Sequence, residues 1–324
     1  MQTHFDIAAL RSDPALQRRV RSRMSRAADE WRDQGIVQTI AAELQGYGSG
    51  CDLSDCQSLG ELTTERAVAT SFADAWLKPM LHALQDEPLA EVQHRYRCSD
   101  GLTSVQLMQS GEATLSLLAY ERRDQSGPEE PQTALFSDRE SREIVLSGSA
   151  RSVLHRRENG TSAESKIATI HADWREGCVI VMTGLHETRQ VLDVRGSLVL
   201  LQLSRTPRRP RSSREFRLAD GALMRSVSGD KSASEKQMAL AVIGAMHHGL
   251  ALDLMADRAR DQNEDADVRW EAVRQTLALN TQRGMDLLAE LRASPRDQLA
   301  RPAADLEQHL FHTKPKLEEF SCRI

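Results

Sequence analysis

The spacing of apolar residues changes twice along this chain of 324 residues, and that change limits the folds open to it more than any single motif does. A helix repeats its buried face every three or four residues and a half-buried strand every two, so a switch of period marks a switch of element type. Up to about residue 90 the period is helical. Asp13-Pro14 forms a helix start, and Leu16, Val20, Met24, Ala27 and Trp31 then recur on one stripe. Ile36, Val37, Ile40 and Leu44 predict a second helix, ended by a flexible Gly46–Gly50 loop, and Val68, Phe72, Trp76 and Met80 predict a third with Pro79 inside it. From Val92 to about residue 204 the period is two, as in Val105/Leu107, Leu115/Leu117, Ile144/Leu146 and Val179/Val181. Short Gly, Ser, Asp or Pro turns divide this region into roughly nine or ten short strands, and Glu121–Pro131 reads as a surface loop.

Thr206-Pro-Arg-Arg-Pro-Arg-Ser-Ser213 then breaks the sheet pattern, since two prolines and a block of positive charge cannot continue a central strand. Phe216 to Val227 reads as a hairpin or an extended arm. From Ser234 the helical period returns in four stripes: Met238/Val242/Met246, Leu252/Met255/Ala259, Val268/Ala272/Leu279 and Met285/Leu288/Leu291. Their short connections force antiparallel neighbours, hence stacked helical hairpins. The expected fold is α+β and multidomain, with a helical subdomain over 1–90 and a central antiparallel β-sandwich or jelly roll over 91–206. An Arg-rich linker over 207–233 and an α-helical domain over 234–324 complete it.

Composition narrows the function classes. A hydrophobic content of 40% with 27% charged residues is that of a globular chain, and only 4% aromatics leaves few platforms for stacking nucleic-acid bases. With 42 basic and 47 acidic residues, the net charge of -5 gives no overall preference for polyanions. The longest nearly apolar run, Met238 to Met246, is far short of the ~20 residues that cross a bilayer, and no secretory signal is read at the N-terminus. Five scattered cysteines, Cys51, Cys56, Cys98, Cys178 and Cys322, fit reduced thiols and a cytoplasmic location. Cys51 and Cys56 lack the second ligand pair of a zinc site.

Two stretches resemble known families. Glu143-Ile-Val-Leu-Ser-Gly148-Ser-Ala and Gly177-x5-Thr-Gly184-x-His186, within about 137–203, resemble the two strand pairs of a cupin jelly roll. The resemblance implies a barrel with a pocket, but the position where cupins place two histidines and a glutamate reads Ser137-Asp-Arg-Glu-Ser-Arg-Glu143, without histidine. It therefore supports the fold more than metal chemistry. Asp267-Val-Arg269-Trp-Glu-Ala272-Val-Arg-Gln-Thr-Leu277 is similar to the second-helix pattern of HEAT-type repeats, with Arg301 and Ala304 repeating the Arg269/Ala272 pair. That similarity, over about 235–310, implies a stack offering an interaction surface.

The candidate pocket residues are Glu143, His155, His171, His186 and Glu187. Neutral imidazoles beside a carboxylate can hold a divalent metal such as iron, so His155, His171 and His186 are the candidate ligands. Each histidine is isolated, however, without His-x-His or His-Glu-x-x-His spacing. His247-His248 is explained by its place at a helix C-terminus, where positive charge is favoured. Arg18 and Arg19, with their neighbours on the first helix, and Arg208, Arg209 and Arg211 in the break form two basic patches able to grip phosphate or carboxylate.

The reading that follows is a non-catalytic accessory or regulatory protein. A cupin-like pocket would bind a small molecule or peptide, and the C-terminal helices would dock a protein partner. One alternative is a metal-dependent cupin-type enzyme of the oxygenase or isomerase class, and a second is a nucleic-acid-associated regulator.

Overall fold

The computed structural model describes residues 7, 11–122, 130–158 and 165–321. Most of the expected loop between Glu121 and Pro131 lies outside the described residues, as does Cys322. The chain divides into two compact units, Met1–Pro210 with Arg214–Arg225, and Arg211–Ser213 with Ser226–Ile324.

In the first unit, α1 (Pro14–Arg32) starts where the sequence predicts: Asp13 Oδ1 accepts from the amides of Ala15 at 2.8 Å and Leu16 at 3.1 Å. Helix α2 (Gly35–Gly48) runs further than expected, through the first glycines of the predicted loop. Its last turn is held by Tyr47, whose hydroxyl donates to Glu140 at 2.9 Å while Arg205 lies 4.2 Å over its ring. Arg205 also donates to the Tyr47 and Cys51 carbonyls, so three tertiary bonds outweigh the glycines' low helix propensity. A short α3 (Gln57–Leu62), absent from the sequence reading, precedes α4 (Arg66–Asp86), which carries Pro79 within it.

The main sheet contains β1 (Tyr96–Ser99), β2 (Leu102–Ser110), β3 (Ala113–Glu121), β5 (Glu140–Arg157), β6 (Ile167–Arg175), β7 (Val179–Met182) and β8 (Glu187–Arg205). All pairings are antiparallel, in the order β1-β2-β3-β8-β5-β6, with β7 also against β5. Two of these strands are long rather than short, and their geometry builds the domain. Arg189 on β8 lies opposite Leu154 on β5, eleven residues beyond Glu143 and about 36 Å away along a straight strand. Yet Arg189 Nε is 2.6 Å from Glu143 Oε2. The β5–β8 ribbon therefore doubles back, and its two halves face each other.

The bend falls where the register slips, at Val145/Ser147, Gly148/Ser149 and Arg151/Ser152. Gly148 sits there at φ +86°, and a Cβ on it would meet the Ser197 carbonyl oxygen at 1.8 Å, so both the backbone conformation and the space require glycine.

Alternation assigns the faces. Leu107, Ala113, Leu115, Ile144, Leu146, Leu201 and Leu203 share one core with Trp31, Ile40, Leu44, Leu59, Phe72 and Met80 of the helices. The N-terminal helices and the sheet are thus one unit, not the two domains, 1–90 and 91–206, that the sequence predicts. Helical and strand periodicities are each local and carry no information on which faces share a core. The opposite face supplies Leu118, Val145, Leu198 and Leu200, which pack inside the doubled ribbon with Ala150, Trp174 and Val194.

A second sheet, in the order β10-β9-β4, contains β4 (Thr133–Phe136), β9 (Ser213–Arg217) and β10 (Leu223–Val227). Phe136 and Phe216 pack edge to face at 6.0 Å within it, with Ile167 of β6 against the same cluster. Residues 213–227, expected within the 207–233 linker with 216–227 as a hairpin or an extended arm, form the hairpin, joined by a third strand, β4, far away in sequence.

The second unit contains α5 (Lys231–Ala245), α6 (Leu252–Arg260), α7 (Ala266–Leu279), α8 (Thr281–Arg292) and α9 (Ala300–Ser321). Ala256, Ala259, Ala272, Val273, Leu287, Leu288 and Leu291 form its core. Here one expectation is overturned. The Met238/Val242/Met246 stripe does not face the core, because α5 packs through Ala233, Leu240 and Gly244 instead. A Cβ on Gly244 would lie 1.9 Å from Gln275 Oε1 of α7, so this close approach selects the small-residue flank.

Candidate functional site

Inside the doubled ribbon, where a cupin-like pocket is expected, the side chains form a closed polar network. Glu143 is fully buried, and Arg189 grips it with a second bond from Nη2 to Oε1 at 2.8 Å. Gln202 Nε2 also donates to Glu143 Oε1, while Arg189 Nη1 donates to the Tyr120 hydroxyl at 2.8 Å. The guanidinium lies 5.5 Å from the Tyr120 ring and 5.2 Å from that of Trp174. Arg139 closes the far side, donating to Gln202 at 3.1 Å and Ser204 at 2.5 Å. Burial alone would lower the Arg189 pKa, but the Glu143 carboxylate holds it above the ordinary arginine value. With both Glu143 oxygens engaged, the arrangement is that of a paired and hydrogen-bonded internal charge.

The other candidates lie elsewhere. His155 is buried on the face turned to the second sheet, with Thr169 Oγ1 2.9 Å from Nδ1 and Gln190 Oε1 2.9 Å from Nε2. Because Gln190 Nε2 donates to the Thr133 carbonyl at 3.1 Å, its Oε1 is the acceptor for His155. The neutral ring therefore carries its proton on Nε2, and Nδ1 accepts from Thr169, which occupies the lone pair a metal would use. His171, opposite Val153, is a diagonal neighbour of His155 and is exposed. His186 is exposed at the end of a short 3₁₀ turn, Gly184–His186. Glu187 binds Arg156 at 2.7 Å and the Thr183 hydroxyl at 2.9 Å. Burial would raise its pKa, but these partners hold it below the usual glutamate value. Among the described residues, no group of three or more His, Cys, Asp or Glu side chains is placed to hold a metal ion.

The arginines divide in the same way. Arg19 pairs with Glu87 at 3.2 Å and Arg23 with Asp86, so part of the α1 patch is neutralised by the C-terminal end of α4. Arg18, Arg208, Arg209 and Arg211 are exposed, and Arg211 has a polar or charged partner of its own.

Sequence reasoning missed an aromatic cluster. His94, 8% exposed, lies edge-on to Trp31 at 5.7 Å and to Trp76 at 5.4 Å. Both His94 nitrogens and both indole N–H groups are buried without hydrogen-bond partners among the described residues. Burial, and then Arg32, lower the His94 pKa; burial also lowers that of His155, helped by His171. These rings are neutral when folded and take up a proton more readily when unfolded, around their ordinary value of 6.5. Stability is therefore complete above that pH and falls as pH drops below it toward the lowered folded values. His94→Phe keeps the aromatic packing and removes one proton site, so it should flatten the decline below pH 6.5 in urea midpoints. An unchanged profile would show that His94 is not a buried neutral base.

The C-terminal unit carries the most distinctive surface. Met238 is 69% exposed, Val242 53%, Met246 67%, Leu250 87% and Leu254 73%. Isolated exposed apolar side chains are ordinary, but Met238, Val242 and Met246 lie one turn apart on one helix face and form a contiguous stripe. Such a surface can bury against another apolar surface, and its methionines can repack to fit it. The sequence gives the stripe; its exposure depends on which flank of α5 meets α7.

No family model matches the chain, and none of the curated proteins compared matches it. The solved structures similar to it include cupin-superfamily structures. A Momordica charantia 7S globulin is 14% identical over 38% of this chain and 35% of that chain, with a TM-score of 0.26. A cupin superfamily protein from Desulfitobacterium hafniense is 14% identical over 34% of this chain and 83% of that one, at 0.23. The Drosophila melanogaster CENP-C cupin domain is 12% identical over 34% of this chain and 74% of that one, at 0.25. The chain spans about a third of the length of the 7S globulin and of a hazelnut vicilin. No helix of the described residues is long and apolar enough to cross a membrane.

Proposed function

We propose that this chain is a non-catalytic interaction protein, accessory or regulatory in role, whose docking surface is the apolar stripe of the C-terminal helical unit. The observation that carries the reading is the exposure of Met238, Val242 and Met246 on one face of α5. Leaving three such side chains in water forgoes roughly 1.5–3 kcal/mol each relative to burial, a cost a docked partner would remove. The filled interior of the doubled ribbon supports the same reading. Its polar groups are bonded to one another, which suits a β-domain serving as scaffold better than one with open ligand positions.

Cross-linking through a photoreactive group placed at Met238 in the full chain tests the proposal. A reproducible adduct that Val242→Glu abolishes without altering the folded spectrum is expected. Adducts indifferent to Val242→Glu, or none, would refute it.

A further inference from the structure

We infer that the occupant of the α5 face is a second copy of this chain, paired antiparallel through α5 about a two-fold axis at Val242. The inference rests on the docking reading above and names its partner. The exposed positions are self-complementary. Met238 and Met246 stand four residues to either side of Val242, and Ala239 and Ala245 three to either side, all exposed. An antiparallel helix pair centred on Val242 places Met238 of one copy on Met246 of the other and each alanine on the opposite alanine. A two-fold interface requires this of a single surface, that it match itself when reversed. The alanines leave room for the helices to approach, and the methionines fill what remains.

Hydrogen-bonding chemistry agrees with the direction. Glu235, which already has a polar or charged partner of its own, is exposed and lies two helical turns before Val242, on the same face. His247 and His248 are exposed at the other end, where His247 closes the helix in a left-handed conformation at φ 51°. Antiparallel pairing sets Glu235 of each copy beside the His247-His248 pair of the other, twice by symmetry. Parallel pairing would set Glu235 on Glu235 and histidines on histidines.

Sedimentation velocity on the full chain across micromolar concentrations is the test. A monomer–dimer equilibrium is expected, weakened on the order of tenfold or more by Val242→Glu, the size of effect given by a central interface residue. With Cys51, Cys98 and Cys322 replaced by serine, Val242→Cys, on the axis, should give a disulfide-linked dimer on mild oxidation that the same chain with Val242 lacks. Met238→Cys should cross-link with Met246→Cys when the two are mixed, and less with itself. A monomer at every concentration, or a dimer indifferent to Val242→Glu, overturns the inference. If the chain is monomeric yet a stripe-dependent adduct with another protein forms, the self-pairing fails while the docking reading stands. If no stripe-dependent adduct forms either, both fail.

Discussion

Replacing Arg189 by methionine should destabilise the N-terminal unit by about 3–5 kcal/mol, because it leaves the fully buried Glu143 without its cation. The substitution keeps much of the apolar stem between Tyr120 and Trp174, so the loss reports the charge rather than the volume. The double variant Glu143→Leu/Arg189→Met should recover only part of it: an apolar pair of similar size has no desolvation cost to offset, but Gln202 Nε2 loses its acceptor and the Tyr120 hydroxyl its donor. Urea unfolding followed by tryptophan fluorescence suits the measurement: Trp31, Trp76 and Trp174 lie in this unit and only Trp270 in the other. A loss below about 1 kcal/mol for Arg189→Met would place the pair at an exposed site, where ion pairs contribute little, and would remove the doubled ribbon from the account.

A corresponding change in the C-terminal unit tests the fork of an arginine as well as its charge. Arg269 is buried on α7, donating to the Ala259 carbonyl at 2.9 Å and to Asp297 at 2.6 Å, so one guanidinium ties together the end of α6 and the turn before α9. Arg269→Met should cost about 3–5 kcal/mol. Arg269→Lys should recover little, because a single ammonium lacks the planar fork that reaches both acceptors. Asp297 Oδ1 also accepts from the Leu299 amide at 2.9 Å, so removing both charges still leaves a helix-start donor unsatisfied. The double variant Arg269→Met/Asp297→Leu should therefore remain about 1 kcal/mol below the parent. Thermal melts by circular dichroism would show it, and full recovery would mean that the aspartate does not cap that turn.

These two pairs mark what could be read before the fold was known. Arg269 stands out in the sequence by its place in a HEAT-like pattern, yet its partner Asp297 lies beyond an intervening helix that no local spacing spans. Glu143 stands out as a carboxylate among strand-forming aliphatics and reads as a pocket residue. Arg189 occupies an equally inward position on β8, but the register that brings it to Glu143 depends on bulges near Gly148. The histidines show the same limit: an imidazole on a strand reads as a possible ligand until Thr169 and Gln190 are seen to take both nitrogens. His94 gives no signal at all, because it comes from an irregular segment between α4 and β1, and the two helices whose tryptophans it meets are brought together only by packing.

Local sequence alone determined the succession of helix, antiparallel sheet and helix, the Asp13 cap and the apolar run on α5, because each depends on residues close together in the chain. The tertiary structure decided which faces are covered. It merged the first helices with the sheet, folded the long ribbon onto itself so that an ion pair fills its interior, and turned α5 so that its small residues meet α7 and its methionines meet solvent. Burial is settled by the closest packing available among distant segments, and a chain's local periodicity does not contain that competition.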